Sequence, residues 1–306
     1  MFDPYFVDYY SIIKEYSNLD ELKYKKIIIS GMGASGVNGD YAKVILKDRE
    51  IVVVKDYFLP KFLDEDWLAI FISYSGDTEE TLNAMDEAIK KGLETIVISG
   101  GGLMEKIAKE KNIKYIKVEK IFPATRYSFP IFLGIILSIL DKKQYENLLD
   151  TLKDYKEKIR DLSHYSEKIK NPIMIYTDSL HEPVAISLKT HINEDDKLFC
   201  QYGILSEYNH HDLEGIGKLN IDFIVLRFNY YKRIEYRINY LIDLLERYGN
   251  NVLVFDLRYN TLLEELVLGT LSIRTFTLSL AKKLNVNPYN SKNIVGLKEF
   301  MKNIVG

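Results

Sequence analysis

The chain has 306 residues, 47% apolar and 28% charged, a soluble globular composition at about twice the length of a typical domain. A net charge of −3 excludes any general electrostatic pull toward nucleic acid or anionic membranes. The single cysteine, Cys200, excludes an intrachain disulfide and a cysteine-rich metal site and fits a reducing compartment.

The opening stretch, MFDPYFVDYYSIIKEYS, has neither a basic segment nor a long apolar core, so no secretory leader is expected and the chain reads as cytoplasmic. Five apolar runs follow: KIIIS, IVVV, LAIFISY, TIVIS and YIKVE. They read as strands buried on both faces, because their apolar residues run on without alternating. Helical patterns lie between several of them, at GDYAKVILKD, EETLNAMDEAIKKG and LMEKIAKEKN. Such alternation predicts a parallel, doubly wound α/β sheet with loops gathered at the strands' carboxyl ends. FPIFLGIILSIL, residues 129 to 140, is too short to span a bilayer and reads as a buried helix.

A charged helical stretch from Lys142 to Pro172 is expected to bridge two domains, 1–148 and 149–306. The second domain repeats the pattern, with strands at IMIYTD, DFIVLRF and NVLVFDL and long helices at RIEYRINYLIDLLERYG and LLEELVLGTLSIRTFTLSLAKKL. The duplication is inferred from element order alone, since no internal sequence repeat is visible. Cys200, between apolar neighbours in KLFCQY, reads as a buried structural thiol. Abundant lysine, glutamate, isoleucine and tyrosine are of the kind seen in thermophiles.

Two loops carry chemical information. After the first strand, GMGASG places glycines at Gly31, Gly33 and Gly36, the spacing of a dinucleotide fingerprint, with Asp56 about 20 residues on as a ribose ligand. A glycine turn opening a helix offers backbone N–H groups and the helix dipole to any anion, so this loop alone leaves dinucleotide and monophosphate open. After the third strand, SYSGDTEET holds Ser73, Ser75 and Thr78 around Gly76. Its hydroxyls can cap a helix, with Asp77 or Thr78 as N-cap and Glu79 or Glu80 closing a capping box. They can instead ring a terminal phosphate. Two such loops on one sheet edge favour a compact monophosphate site.

GMGASG followed by SYSGDTEET resembles the sugar isomerase (SIS) phosphosugar-binding fold, and nearly the whole chain resembles the archaeal-type bifunctional phosphoglucose/phosphomannose isomerases. Members commonly carry GMGGSG and SYSGNT; Ala34 and Asp77 depart from these, and Asp77 is expected to cap a helix rather than face a ligand. The resemblance implies two SIS-type domains. It makes Ser35, Ser73, Ser75 and Thr78, with Gly33 in the first loop, the binders of the substrate phosphate.

Interconverting an aldose and a ketose phosphate requires ring opening, a proton transfer between C1 and C2, and a partner for the enediolate charge. By the resemblance Arg126, held between Pro123 and Pro130, stabilises the enediolate. Glu194 in NEDDK is the base, and the adjacent Asp195 and Asp196 are expected to raise its pKa. LSEYNHH matches a segment whose histidine opens the ring from the neighbouring subunit. The match puts His210 at that position, with His211 as the alternative. The tail NPYNSKNIVGLK supplies Lys298 as the active-site lysine and Ser291 where a threonine is associated with mannose acceptance. The resemblance implies no cofactor, no metal, a sugar phosphate substrate in central carbohydrate metabolism, and a homodimer sharing its active sites. A SIS-type sensor without turnover is the alternative.

Overall fold

A computed structural model describes residues 7–302 and 304; the first six residues of the opening stretch, and 303, 305 and 306 of the tail, lie outside the described residues. The chain divides into two compact units, one running up to Ile159 with Tyr259–Gly269, the other Arg160–Arg258 with Thr270 onward. The division falls about ten residues beyond the expected boundary. The reason is that the first part of the charged stretch packs on the first unit: Tyr145 and Tyr155 donate hydrogen bonds to the carbonyls of Ile13 and Val7, each at 2.9 Å.

The first unit is a five-stranded parallel sheet in the order β2-β1-β3-β4-β5. The strands are β1 (Lys26–Ser30), β2 (Glu50–Val54), β3 (Trp67–Ser73), β4 (Glu94–Ser99) and β5 (Lys114–Lys117). All five fall on the expected apolar runs, but β2 and β5 are not buried on both faces as expected: they are the edge strands of the sheet and are only partly covered. Ile28, Ala69, Phe71 and Val97 face the buried sides of α3 (Glu79–Lys90) and α4 (Gly102–Glu110). The opposite face is covered by α2 (Gly33–Ile45) and α5 (Phe129–Leu140), with α1 (Tyr9–Lys14) and α6 (Lys142–Leu152) packed against α5. Every residue of α5 is buried, which is why its sequence has no polar face.

The second unit repeats this winding with one strand fewer. Its parallel order is β7-β6-β8-β9, with β6 (Ile173–Thr177), β7 (Cys200–Ile204), β8 (Asp222–Arg227) and β9 (Asn251–Asp256). Numbered within each unit, both sheets run 2-1-3-4, so the inferred duplication appears as a shared topology. Tyr176, Phe223 and Val225 pack under Ile238, Leu241 and Leu245 of α10 (Lys232–Arg247). Residues 160–169 are laced to α11 (Leu262–Lys283) by one face of that helix. Ser272 accepts Arg160 N–H, Thr275 accepts Leu162 N–H, Ser279 pairs with Ser166, and Lys283 donates to three carbonyls. The spacing 272, 275, 279, 283 is one stripe of a helix.

β7, not expected from the sequence, is an edge strand with half its residues facing out, so it shows no apolar run. Its first residue, Cys200, is fully buried, and burial pushes its thiol pKa up. Native protein at pH 8 is therefore expected to take up no iodoacetamide, and denatured protein one equivalent, by intact mass. Alkylation of the native chain at the rate of a free thiol would contradict the buried assignment.

Candidate active site

The first unit's sheet reverses its winding between β1 and β3, the position where open α/β sheets bind ligands. The two singled-out loops leave the carboxyl ends of these neighbouring strands. The first loop lies hard against β3, where a Cβ on Gly31 would lie 2.8 Å from the Ile72 carbonyl oxygen, and it folds tightly on itself, where a Cβ on Gly36 would lie only 2.2 Å from the Gly31 carbonyl oxygen. Gly33 takes φ +51° as the chain turns into α2, a conformation that favours glycine. Ser35, buried, follows in the first turn of that helix.

In the second loop the hydroxyls converge. Ser73 Oγ lies 2.9 Å from Thr78 Oγ1 and 3.3 Å from Ser75 Oγ, and it accepts the Gly76 N–H at 3.0 Å. Thr78 is the N-cap residue of α3, yet its side chain makes no capping hydrogen bond and points at Ser73 instead. Gly76 takes φ +80°, and a Cβ there would lie 1.6 Å from the Gly101 carbonyl oxygen. Asp77 does cap a helix, as expected, but the neighbouring one: its carboxylate accepts Leu103 N–H at the start of α4, at 2.8 Å. Asp56, the ribose candidate, accepts the amide of the next residue, Tyr57, at 2.6 Å. The ring is made by three hydroxyls within the six residues Ser73 to Thr78, around one glycine.

Arg126 sits in a 3-10 turn, Thr125–Ser128, buried to 4% exposure with its guanidinium 5.3 Å from the centre of the Tyr127 ring. The segment leading to it is pinned to the second loop by Tyr74, whose hydroxyl accepts Phe122 N–H at 2.8 Å and donates to the Phe122 carbonyl at 3.2 Å. Sequence reasoning passed over Tyr74; only the proximity of the two loops gives it this part.

In the second unit Glu194 lies half-buried in the last turn of α8 (Glu182–Asp195). That turn is fixed to β7 by Asn193, which exchanges hydrogen bonds with the backbone of Cys200 at 3.1 and 3.2 Å. Asp195 turns inward and meets His191 Nδ1 at 2.7 Å, both side chains buried. The expected influence of Asp195 on Glu194 therefore meets a histidine first. His210 follows the short helix α9 (Leu205–Tyr208) beyond the carboxyl end of β7. It is exposed, and among the described residues its side chain makes no hydrogen bond or ion pair, whereas His211 is held by Asp212 and lies 3.6 Å from Glu207. Glu194 and His210 thus flank opposite ends of a five-residue strand, about 16 Å long at 3.3 Å per residue. Lys298 is exposed on α12 (Lys292–Lys302), and Ser291 precedes that helix, its carbonyl accepting Val295 N–H.

The corresponding crevice of the second unit, between β6 and β8, carries no hydroxyl ring. His181 fills it, its Nδ1 2.6 Å from Asp178 and its ring stacked 3.9 Å from that of Phe228.

A family model described as the bacterial phospho-glucose isomerase C-terminal SIS domain matches residues 163–301. A bifunctional phosphoglucose/phosphomannose isomerase of Aquifex aeolicus is 34% identical over 246 residues, 75% of this chain and 76% of its own. The chain belongs to this family. A second member, from Thermoplasma volcanium, is 29% identical over 288 residues, 90% of this chain and 91% of its own. Among solved structures, a glucosamine-6-phosphate deaminase of Thermotoga maritima superposes with a TM-score of 0.69 at 17% identity, covering 94% of this chain and 96% of its own. The architecture is thus the two-domain SIS fold, and family membership makes the chain an enzyme of the isomerase class. Among the described residues no helix is long and apolar enough to cross a membrane.

Proposed function

We propose that the chain interconverts glucose 6-phosphate and fructose 6-phosphate, and also mannose 6-phosphate and fructose 6-phosphate, without a cofactor. The observation that carries this reading is the hydroxyl ring of Ser73, Ser75 and Thr78, with Thr78 released from the capping duty its position would otherwise give it. A compact ring of this kind suits a terminal phosphate, and holding that remote group orients the reacting carbons.

In this scheme His210 and Lys298 move the protons that open the sugar ring. The Glu194 carboxylate takes a proton from C1 of the open-chain ketose, leaving a cis-enediolate whose charge Arg126 holds. A proton passes from O1 to O2, and Glu194 returns the carbon proton to C2, so that C1 becomes the carbonyl and C2 the carbinol of the aldose; delivery to one or other face of C2 yields the glucose or mannose epimer. The single base, neutral overall change and absence of any net oxidant balance the reaction as an internal redox exchange.

The position of Glu194 and His210 at opposite ends of β7 supports their serving different active sites, each completed across a homodimer. Glu194→Gln and His210→Asn are then each inactive alone. Mixed after denaturation and refolding together, they should recover about a quarter of wild-type activity, because half of the dimers are mixed and each holds one intact site. His211→Asn should stay active. Mixed dimers, verified by mass, that show no recovered activity would refute the shared site.

The activity itself is tested by supplying fructose 6-phosphate to purified protein and scoring the two aldose phosphates separately. Both products support the dual isomerase; glucose 6-phosphate alone points to Ser291 as an inadequate stand-in for threonine. Protection against heat without turnover would favour the sensor.

A further inference from the structure

The phosphate loop does not stand by itself. Four contacts tie it to the loop between β4 and α4, to the first turn of α4, and to Lys120, three residues beyond β5. Met104 N–H donates to the Gly76 carbonyl at 3.0 Å, Leu103 N–H donates to Asp77, and Gly76 presses on Gly101 with no space for a Cβ. The fourth contact is electrostatic: Lys120 Nζ donates to the Ser75 carbonyl at 3.0 Å. The lysine reaches it by lying across Gly100, where a Cβ would come within 2.8 Å of its Cγ and 2.7 Å of its Cε.

The peptide between Ser75 and Gly76 is therefore engaged at both ends. Its carbonyl accepts from a cation, and its N–H donates to Ser73 Oγ. A positive charge on the carbonyl side deepens the dipole of that peptide, which makes its N–H a better donor. Ser73 Oγ, already accepting from Gly76, has its own proton left to give, to Thr78, to Ser75 or to a phosphate oxygen. Lys120 thus lends its charge to the phosphate through one peptide and one hydroxyl. Asp77 supplies the other half. Its negative charge, adjacent to the ring, is drawn off to the N-terminus of a nine-residue helix, where backbone donors and the dipole favour it.

We propose that Lys120 and Asp77 are positioning residues that brace the phosphate loop, setting affinity for the phosphate group without touching it. This rests on the assignment of the loop as a phosphate cradle.

The test is Lys120→Met and Lys120→Arg, with Asp77→Ala and Asp77→Asn, each read in two ways. One is the dissociation constant of inorganic phosphate by calorimetry; the other is KM and kcat for fructose 6-phosphate. Lys120→Met should weaken phosphate binding and raise KM about tenfold, with kcat within about twofold. Lys120→Arg should restore both to within about threefold, since a guanidinium still donates to the carbonyl. Asp77→Asn should match wild type, its amide oxygen still accepting Leu103 N–H, and Asp77→Ala should behave as Lys120→Met does. Unchanged phosphate affinity in Lys120→Met, or arginine no better than methionine, would overturn the brace. Wild-type protein that binds phosphate but turns over no hexose phosphate would overturn the proposed isomerase instead, and the calorimetric arm would still decide on the brace.

Discussion

Glu194→Gln is expected to lower kcat for fructose 6-phosphate about a thousandfold while leaving KM within about threefold. Glutamine keeps the size and much of the polarity of the side chain but cannot take a proton from carbon. The last turn of α8 is also held by other residues. Asn193 clasps the backbone of Cys200, and Asp195 is occupied with His191 on the buried side of the helix. The melting temperature therefore reports separately on whether that helix end stays in place. Melting temperature and fructose 6-phosphate binding should follow wild type. A variant retaining more than about a tenth of kcat would remove Glu194 from the proton transfer.

Glu194 is nominated as the candidate base because NEDDK ends a helical pattern and aligns with the family's N-E motif, although the strand that follows it is not read from the sequence. The geometry around it is not legible there either. Nothing in the sequence says that Asp195 turns inward to His191 four residues back, or that Asn193 reaches the strand that follows. The same limit applies across the fold. Strands β1, β3, β4 and β8 are buried on both faces and announce themselves as apolar runs, whereas β7, at an edge and carrying Gln201 and Gly203, has no period to read. The duplication was visible only as element order, and became a shared 2-1-3-4 winding once register was known.

At the proposed phosphate site the candidate hydroxyls were legible because they sit in loops at strand ends. Tyr74 and Lys120 were not, because each acts on a partner 45 or more positions away. The match to the family puts His210 first and His211 second; the structure adds that Asp212 and Glu207 engage the imidazole of His211, which supports the same order.

Thr78→Val carries the second large effect, and it separates the two duties that a threonine at this position can have. If the hydroxyl binds phosphate, its loss removes one hydrogen bond to a charged group, about 1.5–3 kcal/mol, so KM for fructose 6-phosphate rises between about tenfold and a hundredfold. If it capped α3, its loss would instead cost about 1 kcal/mol of stability and leave KM alone. The side chain makes no capping bond and lies 2.9 Å from Ser73 Oγ, so the first outcome is expected, with the urea midpoint unchanged. Ser73→Ala should differ in kind. Ser73 also accepts the buried Gly76 N–H, so alanine strands that donor and lowers stability by about 1–3 kcal/mol in addition to raising KM. Because the two hydroxyls touch, their effects on kcat/KM should fall short of additive in the double variant. A Thr78→Val protein that melts early and binds sugar phosphate as well as wild type would return the loop to helix capping and take the phosphate cradle, and the isomerase reading built on it, away from Ser73–Thr78.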